Sequence, residues 1–399
     1  MTIVWISFIV SVFLIIVIAQ KNLWLGLFIG ALGLGLFNLS LSDIARAFFA
    51  TVTDVSIILM AIAVGLIPLI GSVLDSGGLM SGMINSLNIK KKLFFMSMPS
   101  FMGLLVMPGG ALLSAPVIKK VSADDISNDD LNVLNIWFRH NLILIYPLAG
   151  LLPTTKMANL NLYYEVILLI PGAMILSILG YFFFIAPLKD NGRLTGTFDS
   201  RKFWLPILII ISAPVLHLIL INLFKSWLPE VSLIVSIVVS LVLGGYFART
   251  TPSEFLSLAI KDKPWRYFLL IIGMFFYLNI FKASDASRVI AEIVFSETFL
   301  IVGIAFFLGF ITARTQVAVS ILLPIFYAKF GYAAMTPAVF AIVFFSVFMG
   351  YLVSPIHPCL VVSLEYFKTS LKGFYRRITI PVLIAMFFAV IVSLLIVSD

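Results

Sequence analysis

Arg314 lies inside an apolar stretch, where a charged side chain is costly and usually faces a cavity or a partner. In the sequence TARTQ, Thr312, Thr315 and Gln316 add two hydroxyl groups and an amide beside it. The planar donors of a guanidinium suit a carboxylate or phosphate group. This group predicts an anion site; the alternative is that Arg314 lies nearer the surface and pairs with a lipid headgroup or with Glu297.

A second stretch has the same spacing. The segment GLLVMPGGALLS, from Gly103 to Ser114, aligns without a gap with GFITARTQVAVS, from Gly309 to Ser320. Its centre consists of Met107, Pro108, Gly109 and Gly110. These residues would let a ligand come close to the backbone and to the free amide groups at the start of a helix. Non-helical backbone at membrane depth is tolerated where it is buried in protein or lines a cavity. Both stretches are therefore predicted to be re-entrant hairpins, at 92–119 and 297–329.

Prolines interrupt two further apolar runs. In SPIHP, Pro355 and Pro358 flank His357, and proline opens a helix because it removes a backbone donor and clashes with the preceding turn. The matching place in the first half is YPLAG, which begins at Tyr146. The amino ends of half-helices attract anions, while freed carbonyl groups suit Na⁺.

These four interruptions define the predicted site. The predicted substrate contacts are Met107, Pro108, Gly109, Gly110, Thr312, Arg314, Thr315, Gln316, Tyr146, Ser354 and His357. The predicted contacts of a coupling ion are Gly110, Ser114, Pro147, Thr315, Ser354 and Pro355. No cofactor is expected other than Na⁺.

The remaining polar residues leave alternatives open. Arg139, His140 and Asn141 could supply a base or a gate, or Arg139 could extend to the inner interface. His217 is expected to be structural, and His357 could carry a proton or pack. His357 and Cys359 alone are too few for a metal site. The chain has no GxxxxGK[ST] or HExxH motif, so neither an ATP-driven pump nor an enzyme is predicted.

The elements that must position these residues are apolar. Of 399 residues, 62% are hydrophobic and 11% charged, which excludes an ordinary soluble protein. The basic residues lie at the ends of apolar runs, so the net charge of +8 indicates a multi-pass membrane protein in a lipid bilayer rather than nucleic-acid binding. The predicted transmembrane helices are 2–19, 23–38, 54–75, 131–153, 162–186, 203–223, 229–248, 264–281, 335–353 and 376–397.

The charge distribution favours hairpins over ordinary spans. If both hairpins return to their own side, 18 Lys and Arg residues lie inside and 6 lie outside. If both segments cross the membrane instead, the same residues divide into 12 inside and 12 outside. The positive-inside rule selects the first arrangement. It predicts an inverted repeat of five spans at 1–186, a cytoplasmic linker at 187–202 and a second, upside-down repeat at 203–399. The protein is predicted to lie in the inner (cytoplasmic) membrane, with both termini on the outer side.

Three stretches carry a family resemblance: MPGGALLSAPVI (107–118), FRHNLILIYPL (138–148) and SPIHPCLVVSLEYFK (354–368). With the element order, they resemble the ion transporter superfamily, and within it an uncharacterised prokaryotic membrane family related to divalent-anion/Na⁺ symporters. The resemblance implies a homodimer in which a transport domain moves, elevator-fashion, against a scaffold. The hairpin tips of the symporters usually carry Ser-Asn-Thr, which this sequence lacks.

The sequence therefore predicts a secondary active transporter of a small anionic organic solute, coupled to Na⁺ or H⁺. Alternatives are a cation/proton antiporter, an intramembrane enzyme that uses Arg139, His140 and Asn141, and a passive channel.

Overall fold

The described part of the chain is helical. The computed structural model describes residues 2–397 except 20, 106–110, 123–125, 190–191, 195–196, 287–288, 290–291 and 293–294. Within those residues the fold is all α, and extended segments pair only in an isolated antiparallel bridge between Lys90 and Arg193. The predicted all-α fold class is confirmed.

The first half of the chain forms helices that follow the apolar runs. They are α1 (Thr2–Ala19), α2 (Leu23–Asn38), α3 (Leu41–Thr53), α4 (Val55–Ser76), α5 (Leu79–Asn85), α6 (Lys91–Gly103), α7 (Ala111–Ser122), α8 (Asn128–Ile145), α9 (Leu152–Ala158) and α10 (Leu162–Gly180). A π-helical segment, Pro147–Leu151, precedes α9, and a second, Tyr181–Ile185, extends α10.

The second half repeats much of this order. Its helices are α11 (Ser200–Leu223), α12 (Pro229–Ala248), α13 (Pro252–Asp262), α14 (Trp265–Ala283), α15 (Ala305–Thr312), α16 (Thr315–Phe330), α17 (Pro337–Val353), α18 (Pro358–Phe367) and α19 (Leu371–Ile396). A π-helical segment, Phe299–Ile304, leads into α15. Each of the ten segments predicted to be transmembrane overlaps a helix of the structure, although the fourth, 131–153, is interrupted after Ile145.

Several helices are suited to a bilayer. Among the described residues, seven helical runs are long and apolar enough to cross a membrane: 55–76, 162–185, 200–223, 229–248, 265–283, 337–367 and 371–396. Burial differs among them, since 72% of the apolar window in α4 is buried against 28% in the run of α10. This pattern is typical of a polytopic membrane protein: α4 lies in the interior of the fold, and α10 has an exposed apolar face.

The short helices α3 and α13 begin at side-chain caps. Ser40 accepts a hydrogen bond from the Asp43 amide, and Thr251 forms a capping box with Glu254. Hydrogen bonds from Thr251 hold the pKa of the Glu254 carboxyl below its ordinary value. Asp43 and Glu254 occupy the third helical position, where they face the unpaired amides of the helix start.

Helix contacts sort into two groups, each drawn from both halves of the chain. The frame group comprises α1–α4 and α11–α14: α2 packs on α1 and α14, and α4 packs on α12 and α14. The hairpin group comprises α6–α10 and α15–α19: α8 packs on α6 and α10, and α17 packs on α15 and α19. Each half therefore contributes its leading helices to one body and its later helices to the other.

Candidate functional site

The second predicted hairpin contains a sharp break. Helix α15 ends at Thr312, Ala313 is left-handed (φ 51°), and Arg314 is extended (φ −150°) before α16 begins at Thr315. A left-handed alanine is strained by about 1 kcal/mol. Thr312 Oγ1 supports the turn, since it accepts a hydrogen bond from the Arg314 amide at 3.3 Å. Thr312 and Thr315 are buried, whereas Arg314 and Gln316 are half-buried.

The first predicted hairpin pairs α6 with α7. Its predicted contacts Met107, Pro108, Gly109 and Gly110 lie outside the described residues. Ser114, on α7, is buried and donates a hydrogen bond of 2.6 Å to Asn135 Oδ1 on α8.

The run after the first hairpin is interrupted where the proline predicts it. Helix α8 ends at Ile145, Tyr146 is extended, and Ala149 within the following π-helical segment has non-helical angles (φ −90°, ψ −141°). Pro147 is half-buried in the segment. The Tyr146 hydroxyl donates to the Ile210 carbonyl of α11 at 3.3 Å, so this predicted substrate contact is directed at the frame group.

The matching run of the second half is interrupted at Ser354 and His357. Both residues are extended, α17 ends before them and α18 begins after them at Pro358. Both are also buried, and Ser354 Oγ has no hydrogen-bond partner among the described residues. Pro355 is half-buried between them.

The interruptions meet across the two halves. Space beside Gly150 is so limited that a Cβ there would lie 2.3 Å from Thr315 Oγ1 and 3.4 Å from Gln316 Nε2. Helix α16 contacts α9, and α7 in turn contacts α18. The second helix of each predicted hairpin thus packs on the outgoing half-helix of the opposite half. The contact at Gly150 places the interruption after α8 beside the break between α15 and α16.

A buried polar cluster extends this region. The imidazole centroids of His140 and His357 are 4.7 Å apart, and the Tyr351 ring lies 4.1 Å from that of His357. His140 Nδ1 is 2.6 Å from the Ile136 carbonyl, so it carries the proton and donates. The lone pair is therefore on His140 Nε2, 3.4 Å from the Tyr351 hydroxyl.

Arg139 lies beside the cluster and is only 2% exposed. Its Nη1 is 3.5 Å from Ser114 Oγ, while Nε has no hydrogen-bond partner among the described residues. The alternative in which Arg139 extends to the inner interface was wrong, because its side chain is buried and directed at Ser114 of α7.

Sequence comparison identifies the family. A family model described as a protein of unknown function (DUF401) matches residues 5–396. The chain belongs to this family. No curated protein matches the sequence.

The second arginine, Arg314, faces the same interior. It interacts electrostatically with Tyr351 and His357, as does Arg139. Both guanidinium groups and both imidazoles thus converge on one region of this family member. The two guanidinium groups attract negative charge in their own vicinity.

Sequence reasoning missed the tertiary partners of His357. A usable signal was present in α8, since the polar residues Asn132, Asn135, Arg139 and His140 recur at helical spacing on one face. Asn135 donates to Ser363 Oγ of α18 at 3.0 Å, which joins this face to the second half.

His217 is structural, as predicted. Its Nδ1 lies 2.8 Å from the Tyr163 hydroxyl, and Nε2 lies 3.2 Å from the Pro229 carbonyl. It joins α10 to α11 and is separate from the cluster.

Proposed function

We propose that this protein is a secondary active transporter of a small anionic organic solute, coupled to Na⁺ or H⁺. One observation carries the proposal: interrupted helices from both halves meet in the interior, beside two arginines. Freed amides and carbonyls at helix breaks are how transporters of inverted-repeat design bind ions and solutes. Arg314 is the proposed contact of the anionic group, with Thr315 and Ser354 beside it.

Contacts between helix ends support the hairpin topology behind this proposal. Three pairs of residues in contact distinguish the two topologies. If each hairpin returns to its own side, both residues of every pair lie on the same side of the membrane. If each hairpin crosses the membrane, the two residues of every pair lie on opposite sides. The pairs are Ser56 with Glu230, Asp129 with Arg377, and Lys90 with Arg193. The first two are hydrogen-bonded at 2.7 Å and 3.0 Å, lengths incompatible with separation by a bilayer of about 30 Å.

The two helix groups support an elevator-type motion. The hairpin group holds the proposed site, and the frame group contains the leading helices of both halves. Polar contacts join the groups at their edge, where Lys156 of α9 pairs with Glu230 of α12. We propose that the hairpin group moves against the frame group to carry the solute.

A buried acid favours H⁺ as the coupling ion, and also the second candidate function, cation/proton antiport. Glu165 on α10 is fully buried, and neither carboxylate oxygen has a hydrogen-bond partner among the described residues. An unpaired buried carboxylate is costly, so such a group is suited to bind and release a proton during a cycle. If protons couple through this residue, Glu165→Gln abolishes acceleration by a pH gradient and leaves solute binding intact.

Uptake into proteoliposomes tests the proposed function. Carboxylates, amino acids and inorganic anions are first screened for thermal stabilisation, since a ligand stabilises the folded state by mass action. The stabilising solute is then offered with an imposed Na⁺ or pH gradient. We expect saturable uptake that one gradient drives above equilibrium. Saturable flux that ignores both gradients would contradict coupling, and a cation exchanged for H⁺ with no anion moved would favour the antiporter.

A further inference from the structure

The cluster around His357 contains the donors of a metal site. His140, His357 and Cys359 each offer one ligand atom, and these three atoms lie within 4.8 Å of one another. The chain has three histidines and one cysteine, so two of the three imidazoles and the sole thiol converge at this place. His140 comes from the first half of the chain, while His357 and Cys359 come from the second.

The two imidazoles are prepared for ligation. Because His140 Nδ1 donates to the Ile136 carbonyl, Nε2 retains its lone pair, which is the usual orientation of a metal-bound histidine. Both ring nitrogens of His357 are buried, and neither has a well-aligned hydrogen bond to the described residues, although the Leu352 carbonyl interacts with the ring. Burial of such atoms is costly unless something binds them.

The thiol lies at the amino end of α18, where Cys359 is the second residue of the helix. Arg139 interacts electrostatically with the same sulfur. Two imidazoles and a thiolate are a soft-to-borderline ligand set of the kind that binds Cu⁺ or Zn²⁺.

We propose that His140, His357 and Cys359 bind one thiophilic metal ion, Cu⁺ in preference to Zn²⁺. The preference follows from charge, since Arg139 and Arg314 face the cluster and repel a dication more than a monocation. Ligand bonds of about 2.0–2.3 Å place donors about 3.3–3.8 Å apart, so the cluster contracts by about 1 Å on binding. His357 can supply that movement because it lies in the interruption between α17 and α18.

The binding of the metals alone to the full-length protein in detergent tests this proposal. Cu⁺ is titrated under reducing conditions against a chromogenic chelator, and Zn²⁺ by equilibrium dialysis. We expect one equivalent per chain, with affinity at least about 100-fold weaker in Cys359→Ser and in His140→Gln. The matched control is His217→Gln, which removes the histidine outside the cluster and keeps the affinity. Thermal unfolding of each variant without metal verifies its fold.

Two results would overturn the metal site: neither ion binds stoichiometrically to the wild-type protein, or the cluster variants bind as tightly as the His217 control. The readout is binding alone, so either result leaves the transport proposal unaffected. Conversely, absence of solute uptake leaves the metal site in place.

Discussion

Arg314→Gln should weaken the apparent affinity for the transported solute about 30- to 150-fold, because it removes a charge-assisted contact of about 2–3 kcal/mol. The guanidinium is held at the break between α15 and α16, where it is half-buried and faces Tyr351 and His357. Arg314→Lys keeps the charge but loses the planar fork, so it should fall between wild type and glutamine. Concentration-dependent uptake into proteoliposomes measures the effect.

Arg201→Gln is the matched control. Arg201 is exposed at the start of α11, so this substitution removes the same charge at a position away from the proposed site. It should leave uptake within experimental error of wild type. An Arg314→Gln protein that folds, inserts and transports with unchanged affinity would show that the guanidinium pairs with lipid or with another part of the protein. That was the alternative interpretation of the sequence.

Gly103→Ala and Gly309→Ala should each lower the free energy of unfolding by about 3 kcal/mol, because each introduces a methyl group into a backbone contact. A Cβ on Gly103 would lie 2.0 Å from the Arg139 carbonyl oxygen, and one on Gly309 would lie 2.0 Å from that of Val347. No side-chain rotation relieves a clash with backbone, so the helices must separate. The midpoint of thermal unfolding in detergent measures the loss.

Gly245→Ala provides the control, since a Cβ there meets nothing within 4 Å. In the helix α12 it should raise stability by about 0.5–1 kcal/mol, the ordinary gain of alanine over glycine. Equal small effects at all three positions would contradict the close packing of the hairpin helices. Gly103 and Gly309 are also equivalent positions in the gapless alignment of the two predicted hairpins. Equal losses at both would therefore support the repeat.

Local rules predicted the elements well. Proline disrupts helical hydrogen bonding within a few residues of its own position. The interruptions near Pro147 and between Pro355 and Pro358 were therefore predictable from the sequence, as were the bounds of most helices.

Tertiary convergence was not predictable in the same way. His140 and His357 are separated by more than half of the chain, and nothing local indicates that α8 and α18 place them together. The burial of Arg139 was missed for a related reason: its side chain is directed at Ser114 of a different helix, α7. The polar face of α8 contained the signal, but only a packed partner reveals what such a face contacts.

The accessibility of engineered cysteines tests the central claim, which is that the first predicted hairpin, formed by α6 and α7, begins and ends on the same side of the membrane. Lys90 directly precedes α6, Lys120 lies in the last turn of α7, and both are exposed. Cys359→Ser removes the sole native thiol. In that background, Lys90→Cys and Lys120→Cys are labelled in sealed vesicles with a thiol reagent that cannot cross the membrane, with Lys225→Cys as the marker of the opposite side. We expect Lys90→Cys and Lys120→Cys to react from one side and Lys225→Cys from the other. Reaction of Lys90→Cys and Lys120→Cys from different sides would contradict the hairpin, and with it the interior site and the transporter.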